Sequence, residues 1–129
     1  MTLRRTTAYQ ARIDNSLINR LQMEIKHQII DLRRYQMPDY SAAKLAEELD
    51  VDKKLIAATF SMKFNTHFNA YVNRLRIDKA LDILTDRRYS KLKMEEVGLM
   101  VGFATRQSFY NAFKRFMGIT PRQYKMQFS

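Results

Sequence analysis

The sequence predicts an all-α protein, built as two small two-helix subdomains joined by one longer linker helix. Three observations carry that expectation. Gly occurs 3 times and Pro 2 times in 129 residues, too few for a turn-rich sheet. Apolar residues recur at helical spacing along most of the chain, and no alternating run is long enough to make a strand. A two-helix pattern also appears twice: Leu45, Leu49 and Val51 match Val97, Val101 and Phe103. One residue is then inserted, and Ile56, Phe60, Asn65 and Tyr71 match Phe109, Phe113, Gly118 and Tyr124. The period is 52–53 residues, which marks one supersecondary unit used twice.

Residues 1–13, "MTLRRTTAYQARI", read as a basic arm or the remnant of a linker. The first unit covers 14–65. Its opening helix is expected to start near Asp14–Ser16, any of which can cap a helix. It follows a stripe of Leu17, Leu21, Ile25, Ile29 and Leu32 to residue 36, because the residue before Pro38 disfavours α geometry. "SAAKLAEELD" (41–50) places Leu45 and Leu49 on one side of a short helix. "VDKKLIAATFSMKF" (51–64) follows after almost no loop, with Asp52 as its N-cap and a helix over 53–63. Residues 66–86 form the linker helix, with Phe68, Tyr71, Val72, Leu75, Leu81 and Leu84 at mostly helical intervals.

"RRYSK" (87–91) breaks that helix, and the second unit occupies 87–129. It holds "KMEEVGLMV" (93–101), a helix over 106–117 within "TRQSFYNAFKRFM" (105–117), and "ITPRQYKMQF" (119–128). Asn65 and Gly118 both follow a helix end where the chain turns left-handed, which Gly prefers and Asn tolerates. Thr120 can cap the last helix and Pro121 suits its first position. A short helix, a tight turn and a second helix is the helix-turn-helix arrangement.

Charge narrows the partner. The formal net charge is +10, from 23 Lys+Arg against 13 Asp+Glu, a field that attracts polyanions. On charge alone RNA, DNA and anionic membrane are equally open. Cysteine is absent, which excludes disulfides, thiolate metal sites and cysteine nucleophiles and suits a reducing, cytoplasmic setting. No stretch approaches 18 apolar residues, and the start carries no apolar signal region, so no membrane partner is expected. Glu47-Glu48 and Glu95-Glu96 are adjacent on helices and diverge by about 100°, so they share no catalytic site; they read as solvated, with a contact to RNA polymerase as the minority reading. His27 and His67 lack companion ligands, so no metal is expected. No cofactor and no catalytic residue is expected.

The second helix of such a unit presents its outer face to base edges in the major groove, which calls for Arg, Lys, Asn, Gln and Ser/Thr. With Phe109 facing the core, Gln107, Tyr110, Asn111 and Lys114 are expected on the opposite side. The equivalent positions of the first unit are Lys54, Ala57, Ala58 and Ser61. The base-contact candidates are therefore Lys54, Ala57, Ala58, Gln107, Tyr110 and Asn111. The phosphate-contact candidates are Lys53, Ser61, Thr105, Arg106 and Lys114. Lys53, Lys54 and Arg106 lie in first helical turns, where a cation opposes the helix dipole by roughly 0.3–1 kcal/mol; a phosphate nearby reverses that cost.

From about Tyr40 to Lys125 the chain resembles the DNA-binding domain of the AraC/XylS family of bacterial transcription regulators. The most specific stretch is Gly102-Phe103, Ser108-Phe109-Tyr110, Phe113-Lys114-Arg115, Gly118-Ile119-Thr120-Pro121 and Tyr124-Lys125. "NAYVNRLRIDKALDIL" (69–84) is similar to the family's linker helix, including Arg74, Arg76 and Ala80. The resemblance implies a monomeric domain of about seven helices with homeodomain-like units, binding double-stranded DNA at two short boxes about one turn apart. It further implies transcription control, activation rather than repression, with RNA polymerase and an upstream sensor domain in a longer parent chain as further partners.

The chain departs from the family at Ala58, where a polar residue is common. Alanine can touch a thymine methyl but forms no hydrogen bond, so the first unit is expected to read few bases, Lys54 foremost. The alternative is a non-specific architectural nucleic-acid binder driven by charge. Gln107 and Asn111 argue against it, because backbone binding needs mainly Lys and Arg. An enzyme is a distant third: the relatives that carry a DNA alkyl-transfer module use cysteine for it.

Overall fold

The computed structural model describes residues 15–128, and every regular element among them is helical. Seven α-helices follow in order: α1 (15–26), α2 (Ala42–Leu49), α3 (Lys53–Thr59), α4 (Phe68–Leu84), α5 (Met94–Val101), α6 (Arg106–Met117) and α7 (Pro121–Phe128). Both α1 and α3 end in a wider π turn, His27–Asp31 and Phe60–Phe64. Short 3-10 turns occupy Arg34–Gln36 and Arg87–Tyr89. The all-α expectation holds.

The opening helix departs from its expected bounds at both ends. Asn15 and Ser16 already lie inside α1, so neither caps it; Asp14 and the 1–13 arm lie outside the described residues. At the other end the continuous helix stops at Asp31, Arg33 turns left-handed with φ 56°, and only the separate 3-10 turn reaches residue 36. The π turn rotates the stripe: Leu21, Ile25 and Ile29 are fully buried, while Leu32 is 46% exposed.

Two separate cores form. Leu21, Ile25 and Ile29 of α1 pack with Leu45, Ile56, Phe60, Phe68 and Val72 in the first; Ile77, Ala80, Ile83 and Leu84 pack with Val97, Val101, Phe103, Phe109 and Phe113 in the second. Helix α4 therefore serves both. Its N-terminal half buries Phe68 and Val72, its C-terminal half Ile77, Ala80, Ile83 and Leu84. At about 100° per residue the mean directions of these two buried faces lie roughly 110° apart.

Each helix-turn-helix closes in the same way. Val51 N–H donates to the Ala46 carbonyl at 3.0 Å, and Phe103 N–H to the Gly98 carbonyl at 2.9 Å, the wide closure of a left-handed helix end. Asp50 (φ 54°) and Gly102 (φ 116°) make the left-handed step. Asp52 caps α3 by accepting from Lys54 N at 3.0 Å, and Thr105 caps α6 by accepting from Ser108 N at 3.0 Å. The inserted residue of the repeat falls in this turn, between Phe103 and Thr105. After α3 and α6, Asn65 (φ 52°) and Gly118 (φ 78°) are left-handed. Thr120 caps α7 by accepting from Gln123 N at 3.1 Å. The equivalent His67 caps α4, its Nδ1 accepting from Ala70 N at 3.3 Å, so this imidazole is a cap.

The units meet at Arg76, which is 8% exposed. Its Nε donates to the Tyr35 carbonyl at 2.6 Å, Nη2 to the Met37 carbonyl at 3.0 Å and Nη1 to Asn73 Oδ1 at 3.1 Å. The guanidinium carbon lies 5.4 Å from the Phe103 ring centroid. Gly102 fits against this knot because it lacks a side chain: a Cβ there would stand 2.4 Å from the Tyr35 carbonyl oxygen and 2.7 Å from Arg76 Nε.

The two left-handed glycines therefore respond differently to alanine. Gly102→Ala adds a clash with backbone to its torsional strain and is expected to cost about 2 kcal/mol or more. At Gly118 nothing lies within 4 Å of the added carbon, so Gly118→Ala should cost only about 1 kcal/mol of strain. Urea denaturation of both variants measures the difference; equal losses would contradict the close approach at Gly102.

Candidate nucleic-acid interface

The site in the second unit rests on aromatic packing. Phe109 and Phe113 are fully buried with ring centroids 5.8 Å apart, and Phe103 sits 5.4 Å from Phe109. Gly98 lets α5 close on α6, since a Cβ there would touch the Phe109 ring at 2.9 Å. Each buried ring contributes roughly 1.5–3 kcal/mol and holds one face of α6 down. The opposite face is exposed at Gln107, Asn111 and Lys114.

On that face Gln107 Nε2 donates to Asn111 Oδ1 at 2.9 Å. The bond orients both amides and leaves the Gln107 oxygen as an acceptor and the Asn111 nitrogen as a donor on the exposed surface. Tyr110 is placed differently from its expected position opposite Phe109. It is half-buried on the flank of α6, edge-on to Phe109 at 6.0 Å. The Arg106 guanidinium lies 5.0 Å from its ring centroid, and Arg106 Nη2 donates to its hydroxyl at 3.4 Å. The flank follows from helix geometry, since Tyr110 is one residue, about 100°, beyond Phe109. Thr105 spends its hydroxyl on the cap to Ser108, so its first role is to start α6.

In the first unit Lys53, Lys54, Ala57 and Ser61 are exposed and Ala58 is half-buried. Ile56 and Phe60 anchor α3 beneath them. The buried Thr59 donates its hydroxyl to the Leu55 carbonyl at 2.8 Å, just before the helix widens into its π turn. That turn brings Phe64 to 4.9 Å from Phe60 and 4.8 Å from Tyr71.

Equivalent grooves flank the two outer helices. In the first unit Ser41, Lys53, Ala57 and Asn69 line it; their counterparts in the second are Lys93, Arg106, Tyr110 and Arg122, joined by Lys125. The repeat thus hides an electrostatic difference, with four cations in one groove and one in the other. Lys93, Arg122 and Lys125 are absent from the sequence-derived candidates. Only superposing the two halves at the repeat offset could have brought them together with Arg106. A further groove between the units is lined by His67, Asn69, Asn73, Asn111 and Arg115. His67 and Asn69 line both this groove and the one beside α3. The outer faces of α3 and α6 therefore open onto one continuous surface.

All four residues of the acidic pairs are exposed, as expected, and two of them also make defined contacts. Glu48 accepts from the Tyr40 hydroxyl at 2.6 Å and pairs with Arg34 at 3.1 Å. Burial first, then the Glu48 carboxylate, hold the Tyr40 phenol well above its ordinary pKa. Glu96 Oε1 accepts from Lys93 N at 3.0 Å and closes the start of α5. Glu95 lines the basic groove. No helix among the described residues is long and apolar enough to cross a membrane.

Comparison with known proteins places this arrangement. A family model described as a helix-turn-helix domain matches residues 45–127. The chain is 25% identical over 112 residues to the probable transcriptional regulator LumQ of Photobacterium leiognathi, spanning 87% of this chain and 43% of that protein. It is 28% identical over 89 residues to the transcriptional activator AggR of Escherichia coli, spanning 69% of this chain and 32% of that one. The chain thus spans less than half the length of these curated relatives.

Among solved structures, the C-terminal domain of the two-component response regulator yesN from Fusobacterium nucleatum superposes with a TM-score of 0.71 at 29% identity, covering 81% of this chain and 97% of that domain. The DNA-binding domain of AdpA, solved with a target DNA, shares the fold at TM-score 0.69 and 17% identity, covering 81% and 89%. The match over most of the chain, the doubled unit and the shared helical architecture lead to one conclusion: the chain belongs to the AraC-type helix-turn-helix family of DNA-binding transcription regulators.

Proposed function

We propose that this chain binds double-stranded DNA as a monomer, with α3 and α6 in successive major grooves, and regulates transcription by activation. The single observation that carries this reading is the continuous surface onto which the outer faces of both helices open. Helix α4 has 17 residues and spans about 26 Å at 1.5 Å per residue. That span approaches the roughly 34 Å between successive major-groove faces.

The two units divide the work unequally. Asn111, oriented by Gln107, matches the donor-and-acceptor edge of adenine in the major groove. Lys114 and the cations around Arg106 contact phosphates and fix the register. In the first unit Lys54 is the main reader, Ala57 and Ala58 offer only apolar contact to thymine methyls, and Lys53 with Ser61 holds the backbone. We propose the working divisions as 14–65, 66–86 and 87–129. The longer relatives make room for a sensor domain joined to this chain, and Glu47, whose neighbour Glu48 is engaged by Tyr40 and Arg34, is the proposed contact to RNA polymerase. The proposed setting is the cytoplasm, and no catalysis is proposed.

Selection from a random duplex library near about 150 mM salt, followed by footprinting, tests the reading. Two boxes about one turn apart on one face are expected, the box under α6 being more sharply defined. Recovery of no sequence preference, with a steep salt slope, would move the protein to charge-driven binding. On the selected site Asn111→Ala should cost about 1–3 kcal/mol and relax preference at one or two base pairs. Arg106→Ala should instead weaken selected and random DNA alike and reduce the salt slope by about one. Titrations on both duplexes separate the two; equal loss on random DNA for Asn111→Ala would remove its reading role.

A further inference from the structure

We propose that Arg76 is the positioning residue that sets the spacing between the two DNA boxes. The inference rests on the DNA-reading function proposed above. Arg76 touches three parts of the chain at once: the 35–37 segment of the first unit through two carbonyls, α4 through Asn73, and the second unit's helix-turn-helix turn through the Phe103 ring. The Gly102 backbone presses on the same knot. Tyr35 packs on the first core and Phe103 belongs to the second, so this contact ties the units to each other as well as to their shared helix.

The chemistry of the site fits that role better than simple filling of space. The acceptors of the guanidinium are two carbonyls and an amide oxygen, so no carboxylate balances its buried charge. Burial accordingly holds its pKa below the ordinary value. An apolar side chain would avoid the cost of burying a charge. An apolar side chain could not hold two carbonyls of another segment in a fixed planar fork. Spacing is the property most sensitive to losing that fork. Helices bend readily, and a bend of about 20° in the middle of α4 displaces a reading helix some 13 Å away by roughly 4–5 Å. That exceeds the roughly 3.4 Å between successive base pairs. Closing the joint with a second attachment keeps both helices in register with one spacing only.

The test uses the full chain and duplexes in which the two selected boxes are separated by the selected spacer or by one base pair fewer, one more or two more. The wild type should lose about tenfold or more in affinity for each base pair of departure. Arg76→Met keeps comparable volume and removes the fork. It should bind the selected spacer within about fivefold of wild type, bind a duplex carrying only the α6 box as wild type does, and discriminate among spacers by less than about threefold. Single-box binding and a thermal melt report folding; if Arg76→Met does not fold, Arg76→Gln, which retains part of the hydrogen bonding, takes its place with the same expectation. A folded variant that keeps the wild-type spacer profile overturns the positioning role. A wild type that prefers no sequence overturns the DNA-reading function, and this inference with it.

Discussion

The structure depends on one helix having two buried faces. Phe68 and Val72 point into the first core, Ile77, Ala80, Ile83 and Leu84 into the second, and the two mean directions differ by roughly 110°. Neither core is large, and each needs its half of α4 to close; the first also needs α1 over it. Arg76 stands where the buried face changes side. A helix that swaps faces leaves a seam, and there backbone from both units comes close enough for one guanidinium to reach. The buried charge, the close approach of the Gly102 backbone and the nearby Phe103 ring all meet at that seam.

On this frame the same unit is built twice and finished differently. The parts that hold a reading helix in place repeat: an apolar residue four positions after the cap, a phenylalanine one turn later, and a left-handed residue after the helix. The outer surfaces diverge. One offers an oriented amide pair and a groove of four cations; the other offers alanines and a single lysine in the matching groove. Packing tolerates little change once a ring fills a core, whereas exposed positions carry almost no folding cost. Duplication followed by divergence on the exposed face is what those energetics permit.

Where sequence reading misplaced a residue, a local geometric effect intervened. Leu32 sits at helical spacing from Ile25 and Ile29, yet the π turn at His27–Asp31 carries it out to solvent. Periodicity assumes a constant pitch, and one wide turn breaks it. Tyr110 has the composition of a reading residue, but one step of the helix places its ring on the flank against Phe109. Glu48 is exposed as expected, but its contacts were not legible because its partners, Tyr40 and Arg34, precede it by 8 and 14 positions, outside its own helix.

The sequence by itself determined the helices, the doubled unit, the caps at Asp52 and Thr120, and the exposed amide-and-lysine face of α6. All of these are local: spacing along one helix, a side chain that bonds its own turn, or a pattern that repeats at a fixed interval. Only the tertiary structure decided that Arg76 joins residues 39 and 41 positions away. It also decided that Lys93, Arg106, Arg122 and Lys125 share a groove and that both outer faces open onto one surface. Those features depend on how α4 is rotated between its two cores. That rotation minimises exposed apolar area over the whole domain, so no single window of the sequence contains it.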